Sequence, residues 1–387
     1  MHVMHVISGL TNGGAEAVLF RLVTRDTTDT HCVVSMMDGG YYGERLRAHG
    51  IDVVELGMPP GRLSLAGLKL LFRVMHKRQP DVVQTWMYHA DLIGGIIARL
   101  ATRARVVWGI HHTTHDTKED SLTKRLITRA CALASGIVPH RIISCSLEGV
   151  RVHEGHGYRR GALVAVHNGY DLLEYSPSAD DRTHQRKALG AATSTSLIGM
   201  IGRFNPQKDH ENLLQALAFL KAHRDTGWHC FLVGPEVDDD NAALVKSCHV
   251  KGLDPYVTLY GPTDDVPAFM NALDVHVLSS AFGEACPNVI AEAMACGTPC
   301  VTTDVGDAAL MVGETGWVVP PRNPESLGEA LQTALAAIED PVELAARQQS
   351  AMLRVRQRLS LERMLSNYRA VWREEEPLEL TDLTRGS

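Results

Sequence analysis

Short apolar runs closed by glycine, proline or polar clusters recur along the chain and alternate with stretches of helical spacing. In the first half the runs fall at residues 1–8, 31–36, 51–56, 81–84, 105–110, 141–146 and 163–167. Helical patterns occupy 15–24, 65–78, 92–100, 121–134 and 147–156. A polar stretch at 176–195, with Pro177 and Gly190, reads as a linker or a frayed helix edge. The alternation then restarts, with strand signals at 196–201, 228–234, 257–261, 274–278, 301–303 and 316–321. Helical patterns at 211–222, 242–251, 265–273, 288–296 and 324–338 fall between or after them, and a longer one covers 341–373. Strand–helix alternation of this kind predicts parallel, doubly wound α/β sheets. Two domains are expected, 1–175 and 190–354, with a loosely ordered acidic tail at 374–387.

Composition changes this picture little. The 387 residues are many for one core and suit two α/β domains. Apolar residues make up 45% and charged residues 21%, as in an ordinary globular protein. Charge is unevenly spread. Residues 1–175 hold 20 Lys and Arg against 16 Asp and Glu, whereas the remainder holds 18 against 29. The mildly basic first half suits an anionic membrane surface or a lipid pyrophosphate. The net charge of −7 and the lack of a basic–aromatic patch argue against nucleic acid. Eight cysteines without a CxxC pair point to a reducing compartment and no disulfide framework. The first residues run straight into a strand without a secretory signal, and no segment nears the roughly 20 apolar residues of a membrane span. A cytoplasmic protein is expected, with membrane contact at most peripheral, on the inner face of the membrane.

Three loops carry the candidate chemistry. The stretch 279–300 (SSAFGEACPNVIAEAMACGTPC) leaves a strand, passes Glu284, starts a helix behind Pro287 and places Glu292 within it. The N-terminus of such a helix, at Asn288 and Val289, offers N–H groups and a positive dipole end to a phosphate. The stretch 200–210 (MIGRFNPQKDH) sets Arg203 and Lys208 five residues apart, a fork and a point charge able to straddle a diphosphate. Near the start, Gly13 and Gly14 in GLTNGGAE permit close backbone approach after the first strand.

With GGAE at 13–16, VHNGYD at 166–171, GRFNPQKD at 202–209 and GEACPNVIAEAMACGTP at 283–299, the chain resembles the family-4 glycosyltransferases. That resemblance implies the GT-B fold, two Rossmann-like domains facing across a cleft, with a C-terminal helix of about 355–374 packing back on the first domain. It further implies a retaining, metal-independent hexosyltransferase without a cofactor. The enzyme would move a sugar from a nucleotide-sugar, a UDP-sugar above all, to a lipid-linked or polysaccharide acceptor, as in lipopolysaccharide assembly. Glu292 would then hold the ribose, Arg203 and Lys208 the diphosphate with the Asn288 and Val289 amides, and Glu284 the donor sugar. The Gly13–Gly14 loop would approach the phosphates from the first domain. His112, after the 105–110 strand, matches a family histidine beside the transferred sugar, with His111 as the alternative if the register shifts by one.

Several of these residues admit other readings. His111, His112 and His115 are close enough for a metal but lack a carboxylate partner at fixed spacing. Asp238–Asp240 reads as an exposed charge run before a helix rather than a metal motif. The helix at 121–134 has an apolar stripe with Lys124, Arg125 and Arg129 on its polar face, suited to a membrane surface or to plain solvent. Candidate acceptor walls are 57–64, 86–91 and 111–118. A nucleotide-sugar epimerase on the same scaffold is the rival enzyme, and a silent nucleotide-binding subunit a third possibility.

Overall fold

The apolar runs of the first half become β1 (His2–Ile7), β2 (Thr30–Ser35), β3 (Asp52–Glu55), β4 (Val82–Trp86), β5 (Arg105–Ile110), β6 (Arg141–Ser144) and β7 (Leu163–Ala165). In this computed structural model, which describes residues 1–111 and 122–378, they form one parallel sheet in the order β3-β2-β1-β4-β5-β6-β7. Val3, for example, lies opposite His31 of β2 and Val82 of β4. The helices are α1 (Gly14–Arg25), α2 (Gly40–Ala48), α3 (Leu65–Arg78), α4 (Gly95–Ala101), α5 (Leu122–Ala134) and α6 (Leu147–Gly155). A turn of π-helix, Ala90–Gly94, leads into α4.

The second half repeats the plan with β8 (Ser196–Ile201), β9 (Trp228–Val233), β10 (Val257–Gly261), β11 (Val275–Leu278), β12 (Cys300–Thr303) and β13 (Trp317–Val319). Their order is β10-β9-β8-β11-β12-β13, again all parallel. The first helices of this half are α7 (Ala179–Ala188), α8 (His210–His223), α9 (Ala242–Val250) and α10 (Val266–Ala272). Then come α11 (Asn288–Ala295), α12 (Ala308–Val312), α13 (Pro324–Ile338), α14 (Pro341–Arg358) and α15 (Leu361–Trp372). Two compact units result, Met1–Gly169 with Leu361–Ser387, and Tyr170–Ser360.

Each sheet is covered on both faces, so each unit has two apolar layers. Alternation along β1 shows why: Val3 and Ile7 join one layer with α1, α2 and α15, while Met4 and Val6 join the other with α3, α4 and α5. In the second unit, α8, α9 and α13 cover one face and α10, α11, α12 and α14 the other. α15 is tied to the first unit by a buried polar chain as well as by packing. Arg369 donates to Asp26, His31 Nε2 lies 3.2 Å from Asp26, and His5 Nε2 lies 3.0 Å from His31 Nδ1. Trp86 Nε1 then donates to His5 Nδ1 at 3.2 Å.

The structure departs from the sequence expectations at four places. Residues 176–195 contain a regular helix, α7, capped by Ser178 and with none of its residues buried, so it carries no apolar stripe to read. The pattern at 341–373 is two helices, broken at Leu359 and Ser360, where the chain passes from the second unit to the first. α2 and the short α12 had no sequence signal above that of loops. Among the described residues no helix is long and apolar enough to cross a membrane. All eight cysteines are buried thiols.

Candidate functional site

In an open parallel sheet a crevice forms beyond the carboxyl ends of neighbouring strands whose connections run to opposite sides. In the second unit those strands are β8 and β11. The loops that follow them, 202–209 and 279–287, carry Arg203, Lys208 and Glu284. Topology, rather than spacing, therefore puts these three side chains on one edge of the sheet.

The 202–209 loop is pinned to its neighbours by backbone bonds. The Gly202 amide donates to Val233 O at 2.8 Å and the Phe204 amide to Pro235 O at 3.0 Å. Gly234, at φ 147°, makes that approach possible, since a Cβ there would sit 2.3 Å from Gly202 O. Asp209 takes a left-handed backbone (φ 48°) and caps α8 by accepting from the Asn212 amide. Ser279 Oγ donates to the carbonyls of Lys208 and Asp209 at 2.8 and 3.1 Å, which locks the end of this loop onto the start of the other.

Held this way, Lys208 Nζ donates to Glu284 Oε1 at 2.7 Å, and Ser280 Oγ donates to the same oxygen at 2.7 Å. The two charged side chains are only 15% and 8% exposed. A pair so withdrawn from water is strongly coupled, because removing either partner leaves a poorly hydrated charge. Burial, reinforced by the Lys208 cation, lowers His210 to about 4 and His276 to about 3, so both rings are neutral at neutral pH. Arg203 is exposed and makes no ion pair among the described residues.

α11 begins at Asn288 behind Pro287, with no side chain capping it. The amides of Asn288 and Val289 lie in its first turn, where a helix provides no partner for its N–H groups. Tyr170 Oη donates to Asn288 Oδ1 at 2.7 Å and lies 3.9 Å from Cys286 Sγ. Glu292 is buried on the same helix, and Gly297, at φ 78°, follows its end. A third loop braces the Glu284 turn: the Asp307 amide donates to Ala285 O at 2.9 Å. Gly306 (φ 62°) comes so close that a Cβ would stand 2.1 Å from Glu284 O.

Sequence reasoning named Arg203, Lys208, Glu284, Asn288, Val289 and Glu292 but gave no role to Ser280, Tyr170 or Gly306. Tyr170 belongs to VHNGYD at 166–171, and Gly306 follows β12 at the same sheet edge, so strand order is the missing signal. In the first unit the equivalent switch lies between β1 and β4. There Gly13 is the N-cap of α1 and Gly14 its first residue, and a Cβ on Gly14 would meet no atom within 4 Å. His111 stacks on Trp86 at 4.9 Å, with Tyr368 stacked 6.0 Å from the same indole. His112 and His115 lie outside the described residues. Among the described residues no group of three or more His, Cys, Asp or Glu could hold a metal.

Residues 1–173 match the description Glycosyltransferase Family 4, and residues 195–337 match Glycosyl transferases group 1. A D-inositol 3-phosphate glycosyltransferase from Jonesia denitrificans is 30% identical over 367 residues, which span 87% of this chain and 82% of that protein. The UDP-Gal:alpha-D-GlcNAc-diphosphoundecaprenol alpha-1,3-galactosyltransferase of Escherichia coli is 25% identical over 254 residues, 65% of each chain. Among solved structures, Anabaena HepE in complex with UDP aligns with a TM-score of 0.84 at 23% identity, covering 97% of this chain and all of that one.

Proposed function

The chain belongs to glycosyltransferase family 4, the group 1 glycosyl transferases with the GT-B fold, and from that premise we propose that its second unit binds a UDP-sugar. The enzyme transfers the sugar, with retained configuration, to a hydroxyl of a lipid-linked or polysaccharide acceptor, working from the cytoplasmic side with peripheral membrane contact. The observation that carries the proposal is the Lys208–Glu284–Ser280 cluster at the β8/β11 switch, beside exposed Arg203 and the uncapped start of α11. Support for the ligands comes from UDP in the HepE structure and from the UDP-galactose and undecaprenol diphosphate in the name of the E. coli relative.

In this reading Arg203 grips the diphosphate as a planar fork and Lys208 as a point charge, with the Asn288 and Val289 amides adding a helix dipole. Glu292 accepts from the ribose hydroxyls and Glu284 from the donor sugar. Gly13 and Gly14 are assigned a backbone contact with donor phosphate, and His112, or His111 in the shifted register, a contact with the donor sugar. As the anomeric carbon–phosphate oxygen bond breaks and the bond to the acceptor oxygen forms, the acceptor's proton passes to the leaving diphosphate. Fixed cations aimed at that growing charge lower the barrier without a metal. The bond between Lys208 and Glu284 keeps the cation in place before the donor arrives, so little reorganisation remains for the reaction itself.

Steady-state kinetics test the assignment. Glu292→Ala should raise the donor KM by about tenfold, the loss of one hydrogen-bonded contact of about 1.4 kcal/mol. Lys208→Ala should lower kcat by roughly a hundredfold. Wild-type values in both variants would remove the site. UDP release only in the presence of an acceptor separates transfer from epimerisation. Addition of UDP should raise Tm, since a ligand bound by the native state alone stabilises it.

A further inference from the structure

We infer that the face of the first unit formed by α3, α4 and α5 docks on an anionic lipid surface. The three helices share one side of the sheet, where Leu71 and Met75, Ala98 and Ala101, and Cys131 and Ala132 enter the same apolar layer. They are also tied laterally. Gln79, at the end of α3, donates to Ala101 O, while Arg99 of α4 donates to the carbonyls of Ile137 and Val138 that follow α5.

Their composition is one-sided. α3 contains four Lys and Arg, α4 one and α5 three, and none of the three contains an Asp or Glu. This stands in a chain whose net charge is −7. Arg78 is taken up by Asp52. Lys69, Arg73, Lys77, Arg103, Arg125 and Arg129 are exposed, and none makes an ion pair among the described residues. The nearest described acids in sequence are engaged elsewhere, Asp81 by the His2 amide and buried Asp91 by Thr85, while Asp116, Glu119 and Asp120, before α5, lie outside the described residues.

Large apolar side chains stand among these cations instead of facing inward. Leu126, Leu133 and Ile137 are 67%, 84% and 80% exposed and recur along α5 and its C-terminal turn at helical spacing, with Arg129 between them. Leu100 of α4 is 72% exposed, and Ile96, Leu65 and Phe72 continue the band onto α4 and α3. Exposed large apolar side chains set among cations on helices that contain no acid are costly in water. An acidic protein partner would satisfy the cations through directed ion pairs but offers no general reason for the exposed leucines. A lipid surface satisfies both, since anionic headgroups meet the cations while the aliphatic side chains enter the acyl boundary.

The inference deepens the proposal of peripheral membrane contact by naming its surface. It can fail on its own, because vesicle binding is read without donor or turnover. The test is co-sedimentation of the full chain with vesicles of phosphatidylcholine alone or mixed with phosphatidylglycerol, at low and raised salt. Binding should require phosphatidylglycerol and weaken with salt. Each cation at such a surface contributes about fivefold in partitioning. The double variant Arg125→Glu/Arg129→Glu should therefore bind at least about twentyfold more weakly. Leu133→Ser/Ile137→Ser should lose the salt-resistant part of binding and keep the salt-sensitive part. Both variants should keep the wild-type UDP-induced rise in Tm, which shows that they are folded. Absence of binding by the wild type, equal binding to neutral vesicles, or wild-type binding by the charge-reversed variant would overturn the inference.

Discussion

Asp26 in the first unit and Glu284 in the second are both buried carboxylates bonded to a cation, yet they do different work. The Asp26 side chain has no exposed surface, and its partners, His31 and Arg369, join β2 to the last helix of the chain. Burial alone would raise its pKa, but bonds from His31, Arg369 and the Thr28 amide together pull it well below the usual carboxylate range. Glu284 lies on a loop at strand ends, shares one oxygen between Lys208 and Ser280, and has exposed Arg203 on the neighbouring loop. One topology thus carries two kinds of polar burial. In the first unit the polar chain assembles the unit itself, whereas in the second it sits on loops beyond the ends of β8 and β11.

The sharpest break of this comparison is Asp26→Ala. It leaves the buried His31–His5 pair and the 22%-exposed Arg369 without their carboxylate, and chemical denaturation should show a loss of about 2–4 kcal/mol, towards the lower end of the cost of unpairing a buried charge. UDP binding by the remaining folded protein should be unchanged. A loss under about 1 kcal/mol would mean that packing alone holds α15.

Next comes acid sensitivity. The folded pKa of His276 is depressed to about 3, so the unfolded chain takes up its proton first as pH falls below about 6.5. Stability is therefore full above that pH and declines progressively towards about pH 3. His276→Phe should remove roughly 2–3 kcal/mol of the decline between pH 6.5 and 4, read as a flatter plot of unfolding free energy against pH. An unaltered slope would show that the ring finds a proton acceptor on acidification.

Gly306→Ala has a smaller expected effect and probes the brace. A methyl 2.1 Å from Glu284 O must push that turn away, at a cost of about 1–3 kcal/mol together with a several-fold rise in donor KM. A stability loss with KM unchanged would detach Glu284 from the donor site. Gly14→Ala is the smallest in stability and the most discriminating. The added methyl meets nothing, and replacing a helical glycine should stabilise by about 0.5–1 kcal/mol. A more stable protein with slower turnover would assign Gly14 to a ligand, whereas unchanged turnover would leave it a helix start.

How far the sequence could be read follows from where its signals originate. The strands were legible because parallel sheets covered on both faces demand near-continuous apolar runs, as in RVVWGI and SLIGMI. α7 was not, since a helix that buries none of its own residues has no stripe. The break between α14 and α15 was hidden because helical spacing resumes on its far side after two residues. Lys208 and Glu284 were each suggested by local motifs. Their bond, 76 positions apart, could not be, because it depends on β8 and β11 lying side by side. The same holds for Tyr170 and Asn288, 118 apart. His111, a loop residue in sequence, gains an orientation only from the indole beneath it.

The return of α15 to the first unit has a consequence for biosynthesis. Val3, Ile7, Trp86 and Val107 share their apolar layer with Leu361, Met364, Tyr368 and Trp372, which a ribosome adds only after all of Tyr170–Ser360. At about 5–20 residues per second that interval lasts roughly 10–40 s. Throughout it the part of that layer which α15 covers stays open beside α1 and α2, and by its end the later-made unit possesses every strand and helix it requires. The portion translated first is the one completed last.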